Sequence, residues 1–180
     1  VLFDCRHDLM KPDAGAAAYA TSHIPGARFA HSDKDLSGPK NGRTGRHPLP
    51  DVHVFARWLG ANGVDATKQV VAYDSAGGAS ATRLWWMLRW LGHDRVAVLD
   101  GGWEAWLAAG FRTTDQVPTA QATVFSPAPR GEVHVGVDFL VEHLGNPGVV
   151  VLDARAPERY RGETEPIDPV AGHIPGARNR

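Results

Sequence analysis

Short apolar runs alternate along the chain with apolar residues set at the helical period. Gln69–Tyr73 and Val96–Leu99 are brief and rich in β-formers, which predicts buried strands. Leu2–Phe3 opens the chain in the same way, and Gly148–Leu152 repeats the pattern late in it. From Asp51, the residues Val54, Phe55, Trp58 and Leu59 form one face of a helix that Asn62-Gly63 ends. From Ser80, Leu84, Met87, Leu88 and Leu91 follow the helical period, with Gly92 as the stop. Trp103–Ala109, closed by Gly110, and Val137–Leu144 predict two more helices. Strands and helices that alternate in this way imply an α/β fold, with a mainly parallel central sheet covered by helices on both faces.

The chain also repeats itself. His23-Ile24-Pro25-Gly26-Ala27-Arg28 recurs as His173-Ile174-Pro175-Gly176-Ala177-Arg178, an offset of 150 residues. Upstream, Leu2-Phe3-Asp4-Cys5-Arg6 matches Val151-Leu152-Asp153-Ala154-Arg155. Each copy runs apolar strand, Asp-x-Arg, loop, histidine motif. The period is far too long for a solenoid, so it predicts a tandem pair of domains. Residues 1–112 form the first domain. Residues 113–133, with Pro118, Pro127 and Pro129 and little periodicity, form a linker, and 134–180 begin a second, truncated domain. Both ends read as cut. Residues 32–50, rich in Gly, Pro, Lys and Arg, predict a long surface loop.

Composition narrows the function. Nineteen basic residues oppose twenty acidic ones, a net charge of −1, so nothing drives binding to nucleic acid or an acidic membrane surface. No apolar run reaches a membrane-spanning length. Cys5 is the single cysteine, which excludes an intramolecular disulfide and fits a reducing compartment, and a cytoplasmic location is expected. The nine histidines show no metal-ligand spacing, so no metal site is expected. All six tryptophans lie between positions 58 and 106, within the core of the complete domain. Trp85, Trp86 and Trp90 share one helix and cannot all face one direction.

One loop invites chemistry. Asp74-Ser75-Ala76-Gly77-Gly78-Ala79-Ser80 follows a strand and opens a helix. Small residues let several N–H groups turn inward, and a helix N-terminus adds positive potential, so the loop can cradle an anion. It lacks the lysine of a nucleotide P-loop and the spacing of a dinucleotide or hydrolase motif. The plainer reading is a tight turn capped by Asp74 or Ser80. Cys5 reads as a small buried core residue, since no helix N-terminus adjoins it to lower its pKa. Asp4-x-Arg6 and Asp153-x-Arg155 read as loop tethers, and His23 and His173 as loop-ordering hydrogen-bond groups. His7 follows the first tether, and the sequence leaves its role open.

Taken in order, these pieces identify a resemblance. Asp4-x-Arg6, the two His-Ile-Pro-Gly-Ala motifs, Gly45-Arg46-His47-Pro48-Leu49-Pro50, Tyr73-Asp74-Ser75-Ala76-Gly77-Gly78, Arg83-Leu84-Trp85-Trp86-Met87-Leu88, Gly92-His93-Asp94 and Val98-Leu99-Asp100-Gly101-Gly102-Trp103 resemble the tandem-domain rhodaneses. That family comprises the thiosulfate and 3-mercaptopyruvate sulfurtransferases. The resemblance implies a rhodanese-like fold in each repeat and no cofactor. It implies transfer of sulfane sulfur from a small-molecule donor to cyanide or a thiol through a cysteine persulfide. Asp74 holds the position of the family's nucleophilic cysteine, so no catalytic residue is expected in this chain. A carboxylate cannot form a persulfide. Tandem members usually carry the cysteine in the second domain, which the repeat offset puts near position ~224. Arg159, in Ala156-Pro157-Glu158-Arg159-Tyr160-Arg161-Gly162, resembles the arginine that holds the anionic substrate. The rival reading is a non-catalytic binding or regulatory module. An aspartyl-phosphate role for Asp74 lacks a following Asp-x-Asp. The choice of donor and the oligomeric state stay open.

Overall fold

Strand β1 (Leu2–Asp4) lies between two parallel neighbours, β2 (Ala27–Phe29) and β3 (Val70–Tyr73). In the computed structural model, which describes residues 1–180, β4 (Val96–Val98) joins β3 to give a parallel sheet of order β2-β1-β3-β4. Helix α1 (Ala14–Thr21) connects β1 to β2, α2 (Val52–Ala61) connects β2 to β3, and α3 (Ala81–Trp90) connects β3 to β4. Helix α4 (Gly102–Ala108) follows β4.

Alternation along the strands divides the core in two, because successive side chains point to opposite faces of a sheet. Phe3, Val70 and Ala72 pack with Phe55 and Leu59 of α2 and with Leu84, Met87 and Leu88 of α3. Leu2, Ala27 and Tyr73 pack with Ile24, Trp103 and Trp106 on the other side. Each fully buried leucine or phenylalanine contributes about 1.5–3 kcal/mol. The helices therefore cover both faces, as the alternation of elements predicts. Trp90 and Trp103 are buried, while Trp58, Trp85, Trp86 and Trp106 are partly exposed at the rims of the two clusters.

Helix α2 begins where Asp51 accepts the N–H groups of His53 and Val54, at 2.9 and 3.0 Å. Its buried face differs from the expected one. Phe55, Ala56, Leu59 and Gly60 are buried, and Val54 is exposed. Phe55 and Leu59 face the core and Trp58 packs at its rim as expected, but Val54 does not, and Gly60 lets another segment lie against the helix. A side chain there would collide with the Thr123 carbonyl.

That segment is the stretch read from sequence as a linker. It has almost no regular structure, yet it is fastened along the first unit. Thr114 and His23 exchange backbone hydrogen bonds, and Thr123 N–H donates to Gly60 at 2.8 Å. The Thr123 hydroxyl donates to the Val64 carbonyl, also at 2.8 Å. Ala128 and Arg130 donate to the carbonyls of Leu91 and Trp90, and Phe125 sits in the core. The chain divides into compact units at Val1–Gly131 and Glu132–Arg180. The loop of residues 32–50 is also more than surface. Leu36 is fully buried, and the Arg83 guanidinium clamps the Leu36 carbonyl at 2.6 and 3.0 Å and the His47 carbonyl at 3.1 Å.

The second unit holds α5 (Val137–His143), β5 (Leu152–Asp153), α6 (Pro157–Tyr160) and β6 (Arg178–Asn179), with β5 and β6 parallel. Of the apolar run from Gly148 only Leu152, its last residue, enters a strand, which Asp153 completes. A strand needs a partner along its length, and β6 offers two residues, whereas β1 is paired on both sides.

The repeated motifs build the same cage twice. Arg6 donates to both oxygens of Asp4 and, through Nη2, to the Ser22 carbonyl at 2.6 Å. Arg155 does the same to Asp153 and the Gly172 carbonyl, also at 2.6 Å. Ser22 and Gly172 each precede the motif histidine. His23 stacks on Tyr19 at 3.9 Å and bonds its carbonyl through Nδ1, and His173 stacks on Tyr160 at 3.8 Å with the same bond. The Tyr19 and Tyr160 hydroxyls donate to Ala27 and Ala177. In the first unit Tyr73 adds a further link. Its buried hydroxyl donates to Asp4 at 2.7 Å and accepts the Ile24 N–H at 3.1 Å.

Tyr73→Phe removes both bonds and leaves Ile24 N–H unpaired in a buried place. We expect a loss of about 1–3 kcal/mol in urea unfolding of the chain. A midpoint equal to that of the unaltered chain would show that the link is dispensable.

Candidate functional site

The loop after β3 closes around the side chain that starts it. Gly77 and Gly78 adopt φ of 64° and 92°, a region that disfavours residues with a Cβ, and this turns the following N–H groups inward. The Asp74 carboxylate receives four of them. Oδ1 accepts from Ala76 and Gly78 at 2.8 and 2.9 Å, and Oδ2 accepts from Ser80 and Ala81 at 2.7 Å each. Ser80 makes no side-chain cap, so Asp74 alone caps α3. Burial works against its ionisation, but these backbone bonds, that of Ala81 foremost, hold its carboxyl below the ordinary value. Gly102 permits the close approach behind the loop. A Cβ there would strike the Asp74 carbonyl, which accepts the Trp103 N–H at 2.8 Å. Chemically the loop is an anion cradle, and its own side chain is the anion.

A second cluster forms in loops that follow β1 and β2, at the same C-terminal end of the sheet. His7 follows the Asp4–Arg6 tether, Asp33 lies after β2, and His47 lies in the loop that Arg83 clamps. Folding brings one donor atom from each to within 4.8 Å of the others. His47 Nε2 lies 3.2 Å from Asp33 Oδ1, and Lys40 Nζ donates to the same oxygen at 3.3 Å. The two imidazoles meet edge to face at 5.7 Å. Burial lowers the pKa of both, against the pull of Asp33. Burial opposes the ionisation of Asp33, yet Lys40 and His47 hold it below its ordinary value. Sequence spacing shows no such grouping, because 26 and 14 residues separate the members and only the fold joins them.

In the second unit, Arg159 is oriented by acids. Its Nη2 donates to both oxygens of Glu165, at 2.7 and 2.9 Å, and to Asp168 at 3.0 Å, while Nε donates to Glu165 at 3.2 Å. The Asp168 backbone N–H is the foremost influence on Glu165, and with Arg159 and Ile167 it brings that carboxyl down to about 2. Every hydrogen bond of the Arg159 guanidinium uses Nε or Nη2, which leaves the two N–H groups of Nη1 for another acceptor.

The other residues singled out from sequence fall into structural roles. Cys5 is fully enclosed in the core, and burial pushes its thiol well above the ordinary range, with Asp4 and Asp74 pushing the same way. Such a thiol stays protonated and unreactive. Arg6 and Arg155 are tethers, and Arg6 also lies 4.4 Å over the Trp103 ring. His23 and His173 order their loops. Sequence reading missed Tyr19 and Tyr160, although each helix carries its tyrosine. Their offset of 141 residues departs from the 150 of the histidine motif, so a fixed-period comparison passes over them. No helix is long and apolar enough to cross a membrane.

Asp74→Ala strips four N–H groups of their acceptor, and we expect a loss of about 2–4 kcal/mol in chemical unfolding near neutral pH. The folded-state pKa of Asp74 is depressed, so its contribution is complete above the unfolded value of about 3.9 and fades as pH falls through the lower folded value. The gap between the chain and Asp74→Asn should therefore narrow in acid. A gap that is constant with pH would contradict this account of the carboxylate.

Comparison with known proteins matches residues 1–109 to the rhodanese-like domain. The chain is 49% identical over 180 residues to a probable 3-mercaptopyruvate sulfurtransferase of Pseudomonas aeruginosa, covering 99% of this chain and 63% of that protein. It is 39% identical over 181 residues to a putative thiosulfate sulfurtransferase of Mycobacterium tuberculosis, again covering 99% and 63%. Among solved structures it resembles the 3-mercaptopyruvate sulfurtransferase of Leishmania major, with a TM-score of 0.87 and 35% identity over 99% of this chain and 49% of that one. It also resembles the enzyme SseA of Escherichia coli, with a TM-score of 0.86 and 30% identity over 99% and 67% of the two chains. The sequence thus spans 63% of the length of these two curated relatives. With the parallel sheet, the Asp74 loop and the doubled histidine cage in place, the chain belongs to the rhodanese family.

Proposed function

We propose that the whole protein moves sulfane sulfur from thiosulfate or 3-mercaptopyruvate to cyanide or a thiol, and that the 180 residues described here do not turn over alone. In this reading residues 1–112 are a first rhodanese-like domain without a nucleophile, 113–133 join it to the second, and 134–180 begin the catalytic domain. A cysteine near position ~224 occupies the counterpart of the Asp74 loop. Its thiolate attacks the outer sulfur of thiosulfate, the S–S bond breaks and sulfite leaves. The resulting persulfide gives its outer sulfur to cyanide, which departs as thiocyanate and restores the thiolate. With mercaptopyruvate the C–S bond breaks and pyruvate leaves, its carbanion equivalent taking up a proton.

Arg159 is the observation that carries the proposal. A guanidinium held by Glu165 and Asp168 offers Nη1 to the charged end of the donor while the acids fix its direction. Backbone N–H groups and a helix N-terminus of the kind that surround Asp74 would lower a thiol pKa in the equivalent loop. Asp74 in the cradle and the inert setting of Cys5 also favour a second reading, a binding or regulatory module without turnover.

Two measurements test these readings. The 180-residue chain should form no thiocyanate from thiosulfate and cyanide, and turnover abolished by Cys5→Ser would relocate the chemistry. In the full-length protein, Arg159→Leu should raise the donor KM by at least about tenfold, the loss of one charge-assisted contact, while leaving the fold largely intact. Unchanged donor kinetics would remove Arg159 from the site. A full-length protein that handles neither donor would favour the binding module.

A further inference from the structure

The two copies of the motif cage differ in one stretch. Three residues, 20–22, separate Tyr19 from His23 in the first unit, and twelve, 161–172, separate Tyr160 from His173 in the second. The longer stretch carries Glu165 and Asp168, both of which meet Arg159. The first unit closes its cage without such acids, and Ala18 stands before Tyr19 where Arg159 stands before Tyr160. The acids therefore come with the arginine, and the cage does not need them.

We infer that Asp168 is a specificity-determining residue, whose charge weights the Arg159 site toward donors with a single negative charge, such as 3-mercaptopyruvate, over dianions such as thiosulfate. This rests on the donor-binding role of Arg159 proposed above and deepens it. The two acids stand in different situations. Glu165 is 5% exposed, and its oxygens are occupied from within. Oε1 accepts the N–H groups of Ile167 and Asp168 at 3.0 and 2.9 Å as well as Arg159, and Oε2 accepts Arg159 and lies 3.5 Å from Arg155 Nη1. Glu165 balances the Arg159 charge and fixes its plane, as Asp153 does for Arg155. Asp168 is the charge in excess. Its carboxylate reaches Arg159 Nη2 at 3.0 Å, and its side chain is 44% exposed, open to solvent. Two guanidiniums thus meet three carboxylates, and an anion that approaches Nη1 finds a balanced cation with a further negative charge beside it. Coulomb repulsion scales with the charge of the incoming group. Thiosulfate carries a double charge near neutral pH and mercaptopyruvate a single one on its carboxylate, so Asp168 opposes the dianion about twice as strongly. A role in hydrogen bonding alone would treat both donors alike.

Kinetics of the full-length protein with both donors test this. Asp168→Asn keeps an oxygen for Arg159 Nη2 and removes the charge. It should raise kcat/KM for thiosulfate relative to mercaptopyruvate by about threefold or more at low salt, and the gain should shrink at high ionic strength. Asp168→Glu keeps the charge and should keep the ratio of the unaltered protein. Where one donor is not turned over, competitive inhibition by sulfate against pyruvate reads the same ratio. Should Asp168→Asn fail to fold, Asp168→Ser takes its place. A ratio that stays constant or moves toward mercaptopyruvate overturns the assignment, as does Asp168→Glu behaving like Asp168→Asn. Arg159→Leu tells the two readings apart. Unchanged donor kinetics in that variant remove the donor site and this role of Asp168 with it. A raised KM there, together with a donor ratio indifferent to Asp168, leaves the donor site standing and removes only the role of Asp168.

Discussion

A carboxylate buried at the C-terminal end of a central strand must be answered by a cation, and here the answer organises the domain. Asp4 is fully enclosed, and Arg6 meets both of its oxygens from two residues away. A buried charge without a partner would be costly, so this pair holds its geometry strictly. The guanidinium has donors to spare and spends one on the Ser22 carbonyl, which anchors the turn into the histidine motif. Tyr73 reaches the same carboxylate from the neighbouring strand. One ion pair therefore sets the register of β1 against β3, the start of β2, and the direction in which His7 leaves the sheet. The second unit reproduces the pair and its carbonyl contact with Asp153, Arg155 and Gly172. The lock recurs with its geometry intact although Cys5 stands between its members in one copy and Ala154 in the other, because the pair and its carbonyl contact depend only on Asp, Arg and the backbone.

Much of the first domain was legible in the sequence because its signals are local. The strand at Val70–Tyr73, the helix ended by Gly92, and the tight loop after Tyr73 each follow from the residues they contain. What sequence reading missed depended on distant partners. Val54 looks like core in sequence yet is exposed, while Gly60 is buried against the Thr123 segment. Proline-rich residues after Thr113 look free because their anchors are carbonyls on α2 and α3, which no side-chain pattern reveals. The Gly148 run contributes only Leu152 to a strand, since strand structure belongs to a pair. The site divides in the same way. Asp74 stands out because a carboxylate beside small residues is a local signal. His7 comes from the loop after β1, Asp33 and His47 from opposite ends of the long loop after β2, and nothing short of the fold could bring them together.

The Asp74 loop shows why one backbone design can be inert in one place and reactive in another. Four N–H groups and the start of α3 make a fixed positive field, whatever side chain stands at its centre. A carboxylate is already ionised near neutrality, so the field only deepens its ionisation, and its two oxygens use every donor. It becomes a strong helix cap with no free electron pair directed outward and no affinity for sulfur. A thiol in the same cradle would respond differently. Its ordinary pKa lies above neutrality, so the same field would convert it to thiolate, and one sulfur could not occupy all the donors. The donors left over would then face an incoming anionic group. A single change of side chain at the centre of such a loop would thus be enough to exchange a structural cap for a thiolate with donors to spare.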